Sequence, residues 1–82
     1  MSKRLCLGNL PLSATEADLR LMFGRFGAVE SATIVRDPDS GRSKRFGFVE
    51  MTDAAEARNA VVRLNMTQYG DTVMSVSEAP TR

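Results

Sequence analysis

Two apolar stripes at helical spacing divide this chain into strand, helix, strand, strand, helix and strand, and few architectures accept that order. Leu19, Met22, Phe23 and Phe26 stand at i, i+3, i+4 and i+7, as do Ala57, Ala60, Val61 and Leu64; this is the spacing of one helical face. Thr15 is placed to cap the first helix, with Asp18 three residues on, and Asp53 the second, with Glu56 three residues on. Gly27 is placed to stop the first helix. Strand character fills the rest. Lys3 to Gly8 alternates about Leu5 and Leu7, and Val29 to Arg36 is rich in β-branched residues. Phe46 to Met51 forms a third strand, and Val73 to Glu78 a last one with Met74 and Val76 on one side. Asn9-Leu10-Pro11 ends the first strand, and Asp37-Pro38-Asp39-Ser40-Gly41 is dense turn chemistry. Residues 65–72 read as a polar connection, and Ala79-Pro80-Thr81-Arg82 as a short tail.

The order β-α-β-β-α-β is the split βαβ, or ferredoxin-like, α+β arrangement. Each helix carries a single apolar stripe, so both should cover the same side of a four-stranded antiparallel sheet and leave the other side open. With 82 residues, the chain is expected to be one domain spanning 1–82, its core about 3–79, and to act as a monomer. No stretch approaches the roughly 20 apolar residues that cross a bilayer, and the first residues lack a secretory pattern. The single cysteine, Cys6, cannot close an internal disulfide and suits a reducing cytoplasm, or a nucleus in a eukaryote. A net charge of +1 argues against a polyelectrolyte sponge. Its distribution says more: Lys3, Arg4, Arg36, Arg42, Lys44 and Arg45 fall in or beside strands, while Glu16, Asp18, Asp53 and Glu56 fall at helix starts, where acids complement the dipole. That segregation should leave one face basic.

The chemistry concentrates in Lys44-Arg45-Phe46-Gly47-Phe48-Val49-Glu50-Met51. Side chains alternate along a strand, so Gly47, Val49 and Met51 should face the helices and Lys44, Phe46, Phe48 and Glu50 the bare side. Two exposed phenylalanines are unfavourable unless something covers them. Flat rings on a basic surface offer stacking platforms for unpaired bases, worth about 1–3 kcal/mol per base. Lys44 and Arg45 beside them can meet phosphates.

This octamer closely resembles the longer signature of the RNA-recognition-motif family, and Leu5-Cys6-Leu7-Gly8-Asn9-Leu10 resembles the family's shorter hexamer on the first strand. The element order agrees, so the resemblance covers residues 3–79; it is nearest to the compact single-domain members found in bacteria. The resemblance implies that Phe48 stacks on a base, that Phe46 packs on neighbouring sugars or a second base, and that Lys44 contacts phosphate. It implies a non-catalytic domain that binds short single-stranded RNA, with single-stranded DNA as a second candidate polymer, in post-transcriptional regulation or RNA chaperoning. No cofactor, metal, membrane or small-molecule substrate is implied. Departures stand out. Cys6 occupies a customary aromatic position, so one platform is missing and binding should weaken by roughly ten-fold or more. Arg45 replaces a glycine, Met51 a buried aromatic, and Asp71-Thr72 a common Gly-Arg. Asn9, Arg42, Thr33, Glu50, Ser75 and Ser77 complete the candidate RNA-binding set.

Plainer readings stand beside these. A one-residue register slip would bury Phe46 and Phe48 and expose Val49 and Met51. Arg42 to Arg45 can be an ordinary solvated hairpin, and Cys6 a small filler. Met22, Met51, Met66 and Met74 read as core filling. Asp37-x-Asp39 is a turn rather than a calcium loop, since Pro38 intervenes and no glutamate closes it. Gly24-Arg25-Phe26-Gly27 matches the GxxG of KH domains but serves as a helix end. The rival function is a protein-interaction module using the sheet face or the helices. An enzyme is poorly supported, with no histidine, metal-spaced cysteines or glycine-rich phosphate loop.

Overall fold

The computed structural model describes residues 3–79, so the end of the expected tail, 80–82, lies outside the described residues. Strand β1 (Arg4–Gly8) leads to helix α1 (Glu16–Gly24), then β2 (Val29–Arg36), β3 (Ser43–Met51), helix α2 (Ala54–Leu64), β4 (Thr67–Tyr69) and β5 (Thr72–Glu78). The sheet runs in the order β2-β3-β1-β5-β4, antiparallel throughout. This is the β-α-β-β-α-β sandwich with one strand more than the sequence reading allows. The segment 65–72 is not a plain connection, because Gly70-Asp71 is a two-residue turn with Gly70 at φ +63, and it folds β4 back on β5. Glycine takes a positive φ at no steric cost.

Both stripes bury. Leu19 and Phe23 of α1 and Ala57 and Ala60 of α2 join Leu5, Leu7, Ile34, Val49, Met51, Met74 and Val76 in one core, with Met22, Phe26, Val61 and Leu64 packed at its margin. Helix α2 shows alanines to the sheet, which lets its backbone approach closely. The caps are as expected: Thr15 Oγ1 accepts from the Asp18 amide at 3.1 Å, and Asp53 Oδ1 from the Ala55 amide at 3.1 Å. Gly27, by contrast, does not stop α1, which ends at Gly24. Its role is contact: a Cβ there would fall 2.1 Å from the Glu56 carboxylate of α2. Met66 is not core filling either. It lies at φ +64 in the turn after α2 and is 69% exposed.

Two polar links tie α1 to the sheet. The Tyr69 hydroxyl of β4 donates to Asp18 Oδ2 at 2.7 Å, and burial together with that anionic partner pushes the phenol up to about 12. From the same first turn of α1, toward the β2 edge of the sheet, the Ile34 amide donates to Glu16 Oε2 at 3.1 Å, and the Arg36 guanidinium lies 3.5 Å from Oε1. The Ile34 amide, then Glu16's own amide and Arg36, hold this carboxyl below its ordinary value of 4.5. A carboxyl lowered on folding stabilises the fold above that ordinary value, and the contribution disappears as pH falls through and below it. Urea unfolding at pH 7 and pH 3 should therefore show a smaller acid loss for Glu16→Gln than for the parent. An equal loss would mean that this link carries no pH dependence.

Candidate nucleic-acid interface

The register of the sheet decides what its uncovered side displays. Val49, Met51 and Gly47 are buried against the helices, while Phe46 is 40% exposed and Phe48 half-buried. The slipped register is excluded. In the pairing, Thr33 stands opposite Phe48, Phe48 opposite Cys6, and Cys6 opposite Ser77. These four residues make one row across β2, β3, β1 and β5 on the side without helices. The adjacent row carries Ser31, Glu50 and Arg4, with Ser31 Oγ 3.5 Å from Glu50 Oε1. On the other flank stand Phe46 and the Gly8–Ser75 pair.

The rings of Phe46 and Phe48 lie 6.4 Å apart at an interplanar angle of 87°. They do not form one continuous plane, so a base lying flat on one meets the edge of the other. The Arg4 guanidinium sits 4.4 Å above the Phe48 ring centroid, a cation–π contact of about 0.5–1 kcal/mol at an exposed site. Arg4 is absent from the residues that motif reasoning selects, yet period-two alternation from Cys6 places it on the same face. Alternation was the signal that could have found it.

Other candidates do not sit where strict alternation puts them. Three residues of β3, Lys44 to Phe46, oppose the single residue Val35, because Ser43 pairs with Arg36 and Gly47 with Ile34. Arg45 takes φ +66 in this bulge, so counting back from Phe46 in twos fails at Lys44, although that side chain is exposed. Arg45 Nε donates to the Leu10 carbonyl at 2.9 Å, and the Leu10 amide donates to the Arg45 carbonyl at 2.9 Å. The arginine thereby fastens the loop after β1 to β3. Asn9, at φ +56, donates its side-chain amide to the Val73 carbonyl at 2.8 Å, which ties the same loop to β5. Arg42 stands at the β2–β3 turn, beyond the rows, where the Asp37 amide donates to its carbonyl. The expected basic face is thinner than its residue list, because Arg36 turns to Glu16 on α1. Cys6 is a free thiol, partly exposed beside Phe48. Among the described residues, no group of His, Cys, Asp or Glu side chains is arranged to hold a metal.

The arrangement is thus an open strip of aromatic, hydroxyl and charged side chains on a flat sheet, suited to contact an extended ligand rather than to enclose a small one. Residues 5–75 match the RNA recognition motif family. Protein elav of Drosophila melanogaster is 45% identical over 69 residues, which is 84% of this chain and 14% of Elav. The crystal structure of RNA Binding Protein PG1 superposes with a TM-score of 0.94 at 38% identity, covering 99% of this chain and 98% of that one. The Sxl-lethal protein/RNA complex superposes with a TM-score of 0.94 at 26% identity, covering all of this chain and 49% of that one. The chain spans between 13% and 29% of the length of curated relatives it matches. By the extent of these matches, the chain belongs to the RNA recognition motif family.

Proposed function

We propose that the protein binds a short stretch of single-stranded RNA across the open sheet face, without catalysis, as a monomer. The observation that carries this reading is the Phe46–Phe48 pair, held outward by β3 in a strip of polar side chains. One base stacks on Phe48, and Phe46 bounds the neighbouring nucleotide. Thr33, Cys6, Ser75, Ser77 and Glu50 line the path where base edges pass. Lys44 and Arg42 supply phosphate contacts at the β2–β3 end, and Arg45 and Asn9 hold the adjoining loop in place. The family match and a relative whose solved complex contains RNA support the assignment. Such a role suits cytoplasm or nucleus alike.

With Cys6 in the middle row, the strip has fewer rings than the signature provides for. Electrostatics then carries a larger share of the affinity, so binding should be modest and sensitive to salt. Fluorescence anisotropy with a labelled pool of short single-stranded RNAs, between 50 and 200 mM salt, tests this. The logarithm of the binding constant should fall linearly with the logarithm of salt, with a slope of roughly −0.7 per phosphate contacted. Lys44→Ala and Arg42→Ala should each make the slope shallower by about 0.7. A salt-independent affinity would contradict the reading, and unchanged slopes would remove these two residues from it.

A further inference from the structure

One exposed apolar side chain lies beyond the strip of β3 but close to its end. The Ala14 amide donates to the Pro11 carbonyl at 3.1 Å, which closes a turn with Leu12 and Ser13 at its corners. Leu10, Pro11 and Ala14 are buried, while Leu12 is 68% exposed. The turn is held from both sides. The two Leu10–Arg45 bonds fasten it to β3, and Asn9 ties it to β5. A single exposed leucine is ordinary on a protein surface; what surrounds this one is not. Leu12 lines two hollows, one of about 350 Å³ with Ser13, Arg45 and Asp71, the other of about 550 Å³ with Arg36, Gly41, Arg42 and Ser43. They differ in charge. In the first, Asp71 offsets Arg45, whose Nε is already given to Leu10. In the second, no carboxylate of the described residues belongs to the lining. Arg36 there is paired with Glu16, so Arg42, exposed at the β2–β3 turn, is the cation placed to take an anion. Beside it the Ser43 hydroxyl accepts from the Arg45 amide and keeps its own proton to donate.

We propose that Leu12 and Arg42 hold one further nucleotide of the same single-stranded RNA, beyond the one that Phe46 bounds. Its base lies against the Leu12 side chain, and its phosphate enters the larger hollow to meet Arg42 and the Ser43 hydroxyl. Leucine and other apolar side chains pack against unstacked bases without reading their edges, so this contact lengthens the site and leaves base preference unchanged. The path is continuous. Arg45, Lys44 and Ser43 lead along β3 from Phe46 to the rim of the hollow. An apolar face next to a cation and a hydroxyl is the pattern that a nucleotide complements. Leu21, on the outer side of α1, is 74% exposed but belongs to a helix on the far side of the sheet, so it has no place on this path.

This inference rests on the proposed RNA-binding face, and its test separates the two. Sheets of this family stack about two or three bases, so a tetramer fills the strip and an octamer reaches past it. Anisotropy is measured at low salt with labelled random-sequence tetramers and octamers of single-stranded RNA, against the parent chain, Leu12→Ser and Leu21→Ser. Both substitutions remove an exposed leucine, so both variants should fold. Leu12→Ser should weaken octamer binding about five-fold and tetramer binding by less than about two-fold. Leu21→Ser should change neither. Octamer binding by Leu12→Ser equal to the parent's would overturn the inference and leave the RNA-binding face standing. An equal loss at both lengths, or the same octamer loss in Leu21→Ser, would also overturn it. Failure of the parent to bind either length would remove both the inference and the face it rests on.

Discussion

Alanine at both Phe46 and Phe48 should abolish most RNA affinity while the protein stays folded. The ring that stacks on a base contributes about 1–3 kcal/mol, or roughly five-fold to about 150-fold in binding, and Phe46 adds to this by bounding the neighbouring nucleotide. The rings touch one another edge to face at 6.4 Å, so the two losses should not add simply. Phe48→Ala alone should cost the larger share, because its neighbours Cys6, Thr33 and Arg4 surround a single platform. The fold should tolerate the change, since both side chains lie outside the buried cluster. Titration calorimetry with short RNA, alongside thermal melts of the same variants, checks both halves. Full RNA affinity in the double variant would place the binding surface elsewhere.

Gly47→Ala should do the opposite: it leaves every ring in place and damages the fold that presents them. A Cβ at Gly47 would lie 2.2 Å from the Thr33 carbonyl oxygen and 3.2 Å from the Ile34 Cα. Both are backbone atoms of the neighbouring strand and cannot swing aside as a side chain can. β2 would have to part from β3 where Thr33 pairs with Phe48 and Ile34 with Gly47. Such overpacking costs about 3 kcal/mol, out of a total of roughly 4–12 kcal/mol for a chain of this length. For small domains each kcal/mol lowers the melting temperature by about 4–8 °C, so a drop of about 12–24 °C is expected by calorimetry. Gly24→Ala is the matched control: no atom lies within 4 Å of a Cβ there, and alanine favours the helix it ends. Equal melting temperatures for the two variants would show that the β2–β3 contact yields easily.

The local rules that were legible in the sequence are those with short range. Both apolar stripes, the Thr15 and Asp53 caps, the Asp37 turn and the outward Phe46 and Phe48 follow from periodicity and turn chemistry alone. The Asp37 side chain accepts from the amides of Asp39 and Ser40, and its carbonyl from Gly41, as a turn-forming aspartate does. What was not legible depends on partners distant in sequence. The bulge at Arg45 exists because its guanidinium and carbonyl bind Leu10, 35 residues earlier; a period-two count has no means of seeing that. Gly27 looks like a helix stop, and only the packing of α2 shows it making room for Glu56. The short strand β4 lies in a polar stretch that reads as a connection, and only its pairing with β5 across Gly70-Asp71 shows it to be a strand. Arg4 was within reach of the sequence, since alternation from Cys6 puts it on the open face, and its guanidinium over Phe48 makes it part of the site.

An amide-resolved NMR titration with short random single-stranded RNAs at low salt shows whether RNA lies on the open sheet face. Shifts should centre on Arg4, Cys6, Thr33, Phe46, Phe48 and Ser77, extend to Arg42–Arg45 and weaken as salt rises, with the outer faces of α1 and α2 silent. Shifts confined to the helices, or none at high RNA excess, would contradict that placement and leave the exposed rings as a protein-docking surface.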